Sequence, residues 1–385
     1  MKQNTNCYEI LLNYNCNAKC LYCSQGSFDK SLNASFDMVA REIYLAKRKN
    51  FARLGFSGGE PTVSPYLVKA VKLAKNIGFN FIRIQTNGIR LSDYNFCQEL
   101  AEAGLTFCKF SFMSDKPEIH DKLVGVPGAF RNAMEGVKNL KKLKIRLGNN
   151  IVVNKYNYKN LKKIIEFLLD KGISNFVVIY PIYTGSMSKN YKDLGISLLE
   201  VSEYFLKAIE FMASHDMSNE ILFLNVPPCF LPGYENNAIG MEHFNTVVSD
   251  PKGNVSDLDK TANSNKIKGD VCKNCIFNER CSGLDKAYVD IFGWTGIENV
   301  KRKYSGEGKK KEYFTDNERC MIEILKSDKI LSTQEILEKA KNIPLCQDCI
   351  DGNAVLNAAN KLIKRGIISK SFKKGKYYWK LEKVF

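Results

Sequence analysis

The segment that decides the fold lies near the start of the chain, where an apolar, strand-like stretch runs into three closely spaced cysteines. It reads Cys7-Tyr8-Glu9-Ile10-Leu11-Leu12-Asn13, then Tyr14-Asn15, then Cys16-Asn17-Ala18-Lys19-Cys20-Leu21-Tyr22-Cys23. The cysteines have a C-x3-C-x2-C spacing. Three thiolates can ligate three irons of a cubane 4Fe–4S cluster and leave the fourth iron without a protein ligand. The spacing therefore predicts a metal centre with an open, reactive position at Cys16, Cys20 and Cys23.

Length and composition limit the class of protein. The chain has 385 residues, of which 44% are hydrophobic, so it can form one large domain and one or two smaller ones. We expect a cytoplasmic protein without membrane contact, because no apolar run reaches the roughly 20 residues of a membrane span and no signal segment precedes the cysteine loop. Thirteen cysteines in a reducing compartment favour metal binding. The net charge of +16 fits a solvated surface or an anionic partner equally well.

Strand-like and helix-like segments alternate from residue 7 to about residue 182. Six apolar segments predict strands: Glu9–Asn13, Arg53–Phe56, Phe79–Gln85, Thr106–Phe112, Leu147–Val153 and Asn175–Ile182. Five amphipathic segments between them predict helices: Phe36–Lys49, Ser64–Ile77, Tyr94–Ala103, Ala129–Leu143 and Asn157–Lys171. Such alternation is typical of a parallel α/β sheet with crossover helices. Six units predict a partial (β/α)6 TIM-like barrel, with its ligand site at the carboxyl ends of the strands.

The pattern changes after residue 183. The sequence there predicts a helix at about Leu198–Ser214, a strand at Ile221–Val226 and a hairpin around Asp250-Pro251-Lys252-Gly253-Asn254. The last 75 residues or so predict three helices (Asn317–Lys326, Ser332–Lys339 and Asn353–Arg365) followed by a β-hairpin from Ile367 to Leu381, which is a winged-helix pattern. The expected domains are a barrel core (1–215), a small α+β domain (216–298), a basic linker (299–313) and a winged-helix-like domain (314–385).

The cysteine loop and several segments after it resemble the radical S-adenosylmethionine (radical SAM) superfamily. The segment Phe56-Ser57-Gly58-Gly59-Glu60-Pro61-Thr62 follows the second strand and is similar to the family's Gly-Gly-Glu motif. Gln85-Thr86-Asn87-Gly88 follows the third strand, and Ser111-Phe112-Met113-Ser114-Asp115 follows the fourth. The segment His120-Asp121 to Gly125 is similar to His-Asp-x-x-Arg-Gly, although Val124 stands where the family has arginine. The resemblance covers about residues 7–182.

The resemblance implies a set of cofactors and site residues. Cys16, Cys20 and Cys23 would ligate a 4Fe–4S cluster that binds S-adenosylmethionine, and reductive cleavage would give a 5′-deoxyadenosyl radical that removes a hydrogen atom from the substrate. The methionyl end of S-adenosylmethionine would contact Gly58, Gly59 and Glu60. Further contacts are expected from Thr86, Asn87, Ser111, Asn150 and Asn154. The alternative role for Asn154 is to cap its own loop by hydrogen bonding to the backbone.

Several other residues have a structural interpretation. His120 is one of three histidines, and a hydrogen-bonding role is expected rather than a catalytic one. Cys7 lies on the first strand and is expected to be a core thiol. Cys97 and Cys108 are also expected in the core.

A second set of cysteines follows the barrel. Cys272-Lys273-Asn274-Cys275 and Cys281 form a C-x2-C-x5-C pattern, and Cys229 lies upstream. On spacing alone, a four-cysteine zinc site and a 4Fe–4S cluster fit equally well. Next to a radical SAM core, this arrangement resembles the shortened SPASM domain called twitch, which implies a second, auxiliary 4Fe–4S cluster. Asp285 occupies the position of the next cysteine in full SPASM domains, so one auxiliary cluster is expected.

The C-terminal segment is basic and contains a further cysteine pair. Residues 301–385 carry a net charge of roughly +9. A winged helix here could dock a substrate peptide by strand addition, stabilise the chain or an oligomer, or contact nucleic acid. The pair Cys346 and Cys349, with Cys320, is an incomplete metal set.

Together these features predict a radical SAM enzyme that acts on a peptide or protein substrate, by crosslinking, epimerisation or oxidation. A reductant such as flavodoxin or ferredoxin is the expected partner. Oxidation or rearrangement of a small molecule, or tRNA modification, is the first alternative. The second alternative is an iron–sulfur, redox-sensing winged-helix regulator, which the Gly-Gly-Glu motif disfavours because a regulator has no need of S-adenosylmethionine.

Overall fold

The computed structural model describes residues 6–215, 217–239, 245–294, 296–297, 316–327, 330–340, 352–373 and 375–382. The chain divides into two compact units, Met1–Lys309 and Lys310–Phe385. Among the described residues, no helix has the length and the apolar character that a membrane crossing requires.

The first unit is built on an open sheet of nine strands. The strands are β1 Cys7–Asn13, β2 Arg53–Gly58, β3 Phe81–Gln85, β4 Phe107–Phe110, β5 Arg146–Val152, β6 Asn175–Ile179, β7 Ile221–Leu224, β8 Thr246–Ser249 and β9 Val255–Asp257. Their order is β7-β6-β5-β4-β3-β2-β1-β8-β9. All neighbours are parallel except β8 and β9, which form an antiparallel pair. This confirms the predicted α/β partial barrel.

Helices lie between and after these strands. They are α1 Phe36–Arg48, α2 Leu67–Ile77, α3 Tyr94–Ala103, α4 Pro117–Val124, α5 Ala129–Lys142, α6 Leu161–Asp170, α7 Gly185–Lys189, α8 Tyr191–Leu194, α9 Leu198–Ser214, α10 Leu258–Thr261 and α11 Lys286–Phe292. Side chains on alternate strand positions, such as Ile10, Phe56 and Ile84, are fully buried against these helices and form one core.

Two features of this unit differ from the sequence prediction. The strand at 221–224 and the hairpin near 250 were expected outside the barrel, but β7 pairs with β6 and β8 pairs with β1. Helix α4 was not predicted, although Pro117 at its start and Gly125 just past its end are ordinary helix boundary signals. Strand pairing between distant segments depends on tertiary contacts, which no local pattern encodes.

Two short strands, β10 Lys266–Ile267 and β11 Leu284–Asp285, form a separate antiparallel pair in the same unit. The second unit contains α12 Asp316–Ser327, β12 Ile330–Ser332, α13 Thr333–Ala340, α14 Gly352–Lys364, β13 Ile368–Lys373 and β14 Lys376–Leu381. Its three strands form an antiparallel sheet in the order β12-β14-β13, over a core that includes Trp379. Ser332 and Glu335 exchange hydrogen bonds at the start of α13, as in a capping box.

Candidate functional site

The Gly-Gly-Glu segment at the end of β2 holds the start of the cysteine loop through its backbone. The N–H of Gly59 donates to the carbonyl of Asn13 at 2.8 Å, and the N–H of Glu60 donates to the carbonyl of Asn15 at 2.8 Å. A β-carbon added to Gly59 would lie 2.2 Å from the Asn15 carbonyl oxygen. Glycine is therefore required here because two backbones approach closely, one residue before Cys16.

Helix α4 supports the middle of the cysteine loop. The N–H of Lys19 donates to the carbonyl of Val124 at 3.0 Å, and the N–H of Leu21 donates to that of Leu123 at 2.9 Å. A β-carbon on Gly125 would lie 2.7 Å from the Lys19 carbonyl oxygen. The His-Asp segment on this helix thus fixes the position of the loop that carries Cys20.

The segment after β6 holds the far end of the loop. The N–H of Ser186 donates to the carbonyl of Cys23 at 2.8 Å, and the Asn190 side chain donates to that of Leu21 at 3.0 Å. The Thr184 hydroxyl donates to the carbonyl of Ser24 at 3.2 Å. The role of this segment was not predicted from the sequence. Its small and polar residues directly after β6 were the available signal.

The three thiols of the loop are free of disulfides, and all three side chains are partly exposed. Burial raises the pKa of Cys20 to about 12, and Cys16 and Cys23 add to this effect because they lie close to it. A bound cation centre reverses such a shift, since it stabilises thiolates directly. The loop thus brings together three thiols of the type that an iron–sulfur cluster requires. Within the described parts of the chain, no three His, Cys, Asp or Glu side chains are placed to share a single metal ion, an arrangement that a 4Fe–4S cluster does not need because each thiolate ligates a different iron.

Glu60 connects the ends of β2 and β3. Its side chain is 1% exposed and accepts hydrogen bonds from the Thr62 N–H (3.0 Å), the Thr62 hydroxyl (2.7 Å), the Thr86 hydroxyl (2.7 Å) and the Asn87 N–H (2.7 Å). Burial raises the pKa of Glu60, and these four hydrogen bonds oppose the increase. Three of these hydrogen bonds end on Oε1 and one on Oε2, so Oε2 keeps one acceptor position. Glu60 therefore organises this edge of the sheet, and its contact with a ligand stays a prediction.

Asn87 extends the same connection to the cysteine loop. Its side-chain amide donates to Asn17 Oδ1 at 2.7 Å and lies 3.9 Å from Cys16 Sγ. Cysteine loop, Gly-Gly-Glu segment and Thr-Asn segment are thus joined into one site at the carboxyl ends of β1, β2 and β3.

The other predicted contacts have different surroundings. Ser111 follows β4 and is half-buried. The Asn150 amide donates to Gln85 Oε1 at 2.8 Å. Asn154 is fully buried, donates to the Val152 carbonyl at 3.1 Å and accepts from the Tyr156 N–H at 2.9 Å, so its side chain is used within its own turn.

Asn149 and His120 define the loop after β4. Asn149 exchanges hydrogen bonds with both backbone groups of Phe112, at 2.8 and 3.0 Å, a role that sequence reasoning missed. His120 Nδ1 accepts from the Met113 N–H at 3.2 Å, and burial lowers the pKa of its ring to about 4. The ring packs against Phe112 and Phe130, in keeping with a structural role.

Cys97 and Cys108 are fully buried in the core between the sheet and the helices. Cys7 is also buried, but on the inner face of the barrel, where its thiol lies 3.9 Å from Glu9 Oε2. None of the three lies at the cysteine loop.

The second set of cysteines lines one cavity. The thiols of Cys229, Cys272, Cys275 and Cys281 surround it, together with apolar side chains that include Phe230, Phe277, Leu284 and Trp294. Burial raises the pKa of Cys229 to about 12, and the other three thiols contribute to this increase. Four free thiols that converge on one cavity fit a cluster with full cysteine ligation. Cys346 and Cys349 lie outside the described residues, whereas Cys320 is buried in the second unit.

Comparison with known proteins gives a family match over the barrel. Residues 10–180 match the family model described as the Radical SAM superfamily. The chain is 28% identical over 176 residues to an Fe-coproporphyrin III synthase of Methanosarcina barkeri, which covers 45% of this chain and 43% of that protein. It is 28% identical over 204 residues to a probable GTP 3′,8-cyclase of Saccharolobus islandicus, which covers 51% of this chain and 64% of that protein. The chain therefore spans less than two thirds of either curated relative.

Solved structures share the fold at low sequence identity. Streptococcus suis SuiB bound to S-adenosylmethionine superposes with a TM-score of 0.56 at 15% identity, over 72% of each chain. The protein anSMEcpe with bound AdoMet and a peptide superposes with a TM-score of 0.54 at 16% identity, over 77% of this chain and 99% of that one.

Proposed function

We propose that this chain, whose residues 10–180 match the Radical SAM superfamily model, binds a 4Fe–4S cluster through Cys16, Cys20 and Cys23 and acts as a radical enzyme on a peptide or protein substrate. When bound, such a cluster with an open iron supplies the electron that cleaves S-adenosylmethionine and so gives a radical able to remove a hydrogen atom. The observation that carries the proposal is the 2.8 Å hydrogen bond from Glu60 N–H to Asn15, because it joins the Gly-Gly-Glu segment to the cysteine loop.

The residues around the loop would do the positioning. Gly58, Gly59 and Glu60 provide a backbone edge beside the cysteines, and Thr86 and Asn87 continue it. Ser111, Asn150 and Asn154 are proposed to complete the S-adenosylmethionine site from the next strands. The inner face of the barrel lies next to this edge, and a substrate bound against it would be shielded from bulk water at the reacting C–H bond.

An auxiliary 4Fe–4S cluster is proposed at Cys229, Cys272, Cys275 and Cys281. Its support is the convergence of these four thiols on one cavity. Full ligation suits electron transfer rather than substrate binding. The corresponding twitch-like domain (216–298), the basic linker (299–313) and the winged-helix-like domain (314–385) remain part of the proposal, as do a cytoplasmic location and a flavodoxin or ferredoxin reductant.

Peptide modification is favoured by the structural neighbours. SuiB bound to its precursor peptide SuiA has a TM-score of 0.52 over 82% of this chain, and one anSMEcpe structure also contains a peptide. A small-molecule reaction is the second candidate, because the curated relatives include a probable GTP 3′,8-cyclase. Stimulation of 5′-deoxyadenosine release by a candidate peptide, compared with stimulation by GTP, separates the two.

The test of the central proposal is anaerobic reconstitution, iron counting and an assay with dithionite and S-adenosylmethionine. About eight irons per chain and release of 5′-deoxyadenosine are expected if both sites hold 4Fe–4S clusters. A fully reconstituted protein that releases no 5′-deoxyadenosine, with or without candidate substrates, would refute the enzyme proposal.

A further inference from the structure

The inner face of the barrel carries a connected set of polar side chains. Glu9 on β1 is 4% exposed and accepts from Arg83 Nη2 at 2.8 Å and from Gln85 Nε2 at 2.7 Å, both on β3. Gln85 Oε1 in turn accepts from Asn150 on β5. A β-carbon on Gly55 would lie 2.0 Å from Glu9 Oε2, so the glycine on β2 leaves the space that this carboxylate occupies.

Lys109 on β4 points toward the same lumen. Its neighbours Cys108 and Phe110 belong to the core between the sheet and the helices, and because side chains alternate along a strand, Lys109 faces the opposite side. The charges that act on it are those of Arg83, Glu9 and Glu220, of which the first two line the lumen.

Lys109 has no counter-charge in contact. Its side chain is 6% exposed, and in the described part of the chain its ammonium has no hydrogen-bond or ion-pair acceptor. The centroid of the Phe107 ring lies 6.0 Å from Nζ. A cation in such surroundings is unfavourable without an acceptor. If this position served packing alone, an uncharged side chain such as methionine would fill the same space. Its Nζ atom is not among the fully buried polar atoms that lack a partner, so it keeps contact with the lumen, where an anion could reach it.

Lys109 also lies directly below the candidate cofactor site. Its carbonyl accepts from the Thr86 N–H at 2.9 Å, and its strand neighbour in register is Gln85. The Thr86 hydroxyl donates to Glu60, which lies in the segment that holds the cysteine loop. Lys109 is therefore one residue away from that segment.

We infer that Lys109 is a substrate-binding residue that receives an oxyanion of the substrate, with the polar set of Glu9, Arg83, Gln85 and Asn150 fixing the walls of the pocket. This inference rests on the proposed function, because it places the substrate in the lumen below the cofactor edge. Glu9 neutralises Arg83, which leaves the charge of Lys109 in excess within this set. The oxyanion can be a carboxylate, as in an acidic peptide side chain, or a phosphate, as in a nucleotide.

Competitive acylation of the reconstituted full-length protein, read by mass spectrometry, tests this inference. The exposed Lys72 on α2 is the internal reference, and the probes are N-acetylglutamate and inorganic phosphate at equal ionic strength. Burial lowers the pKa of Lys109 to about 7, so at pH 8 the free amine should react readily. An oxyanion in contact favours the ammonium form, and a rise of about two pKa units would slow acylation of Lys109 roughly tenfold relative to Lys72.

Each outcome has a defined meaning. Protection by N-acetylglutamate alone supports a carboxylate, and protection by phosphate alone supports a phosphate group. Lys109 that is not acylated at all, or is protected by neither probe, overturns the inference. The same probes should raise the melting temperature of wild type and of Lys72→Met but not of Lys109→Met. Release of 5′-deoxyadenosine by wild type is measured in parallel. If the protein cleaves S-adenosylmethionine but Lys109 is not protected, only the inferred pocket is refuted. If Lys109 is protected but no cleavage occurs, only the proposed function is refuted.

Discussion

The two cysteine sites of the first unit are built in different ways. The loop of Cys16, Cys20 and Cys23 is held by backbone hydrogen bonds from the end of β2, from α4 and from α7. The residues around Cys272, Cys275 and Cys281 form tight turns beside a pair of two-residue strands, β10 and β11. The first site is therefore specified by the barrel itself, whereas the second has few backbone contacts outside its own turns. A bound metal centre should contribute much more of the local stability at the second site.

Removal of the first three thiols should have the largest effect. Cys16→Ala, Cys20→Ala and Cys23→Ala combined should abolish 5′-deoxyadenosine release and remove about half the iron, because these thiols are the proposed ligands of one of two clusters. Circular dichroism should stay close to that of wild type, since the backbone contacts of the loop remain. Cys97→Ala, a core thiol, is the matched control and should keep both iron and cleavage. Cleavage that survives in the triple variant would show that the ligand assignment is wrong.

Removal of the second set should instead damage the local structure. Cys272→Ala, Cys275→Ala and Cys281→Ala combined should also remove about half the iron. In addition, trypsin should cut quickly near Lys266, Lys268 and Arg280, because the turns lose the centre that holds them. Limited proteolysis of both triple variants, side by side, measures the difference directly. Equal protease resistance of the two triple variants would show that the metal centre contributes equally to local stability at both sites.

The contrast between the sites also explains what the sequence could predict. The barrel strands and helices were predictable because their apolar periods are long and regular, and the cysteine loop was predictable from its spacing. The pairing of β7 with β6 and of β8 with β1 was not, because it joins segments far apart in the chain. The contacts of Asn149 and the surroundings of Lys109 were not predictable either, because each depends on which side chain lies across the sheet.

Glycine substitutions compare the two sites at the level of single atoms. A β-carbon at Gly59 would lie 2.2 Å from the Asn15 carbonyl oxygen, and one at Gly283 would lie 2.1 Å from that of Ile267. Both Gly59→Ala and Gly283→Ala should reduce the free energy of unfolding by about 2–3 kcal/mol, because backbone has to move. Gly59→Ala should lower the iron content of the first site and Gly283→Ala that of the second.

Gly233→Ala is the control for these two variants. Gly233 has a φ of 77° but no atom within 4 Å of an added β-carbon. Only the left-handed conformation is penalised there, at about 1 kcal/mol, and iron content should not change. Loss of iron from Gly233→Ala at the level of Gly59→Ala would show that close approach is not the cause.

The smallest expected effect is on the pH dependence of the free energy of unfolding. It arises from Lys109, which is buried below the first cysteine site. The pKa of Lys109 is lowered to about 7 in the folded chain, chiefly by burial, against an unfolded value of 10.5. Between these values the unfolded chain binds a proton that the folded chain does not, so the free energy of unfolding should rise with pH. The contribution of this group is at most about 1.4 kcal/mol per pH unit.

Urea unfolding of wild type and Lys109→Met from pH 7 to pH 9 isolates this contribution. The stability of wild type relative to Lys109→Met should increase with pH, whereas Lys72→Met, at an exposed position, should run parallel to wild type. Burial raises the pKa of Cys7 and Cys20 to about 11 and 12 in the folded chain, and their effect on stability is common to wild type and Lys109→Met, so it cancels in the difference. A constant difference between wild type and Lys109→Met would mean that Lys109 keeps its charge in the folded chain, and the lumen would then have to contain an acceptor for it even without substrate.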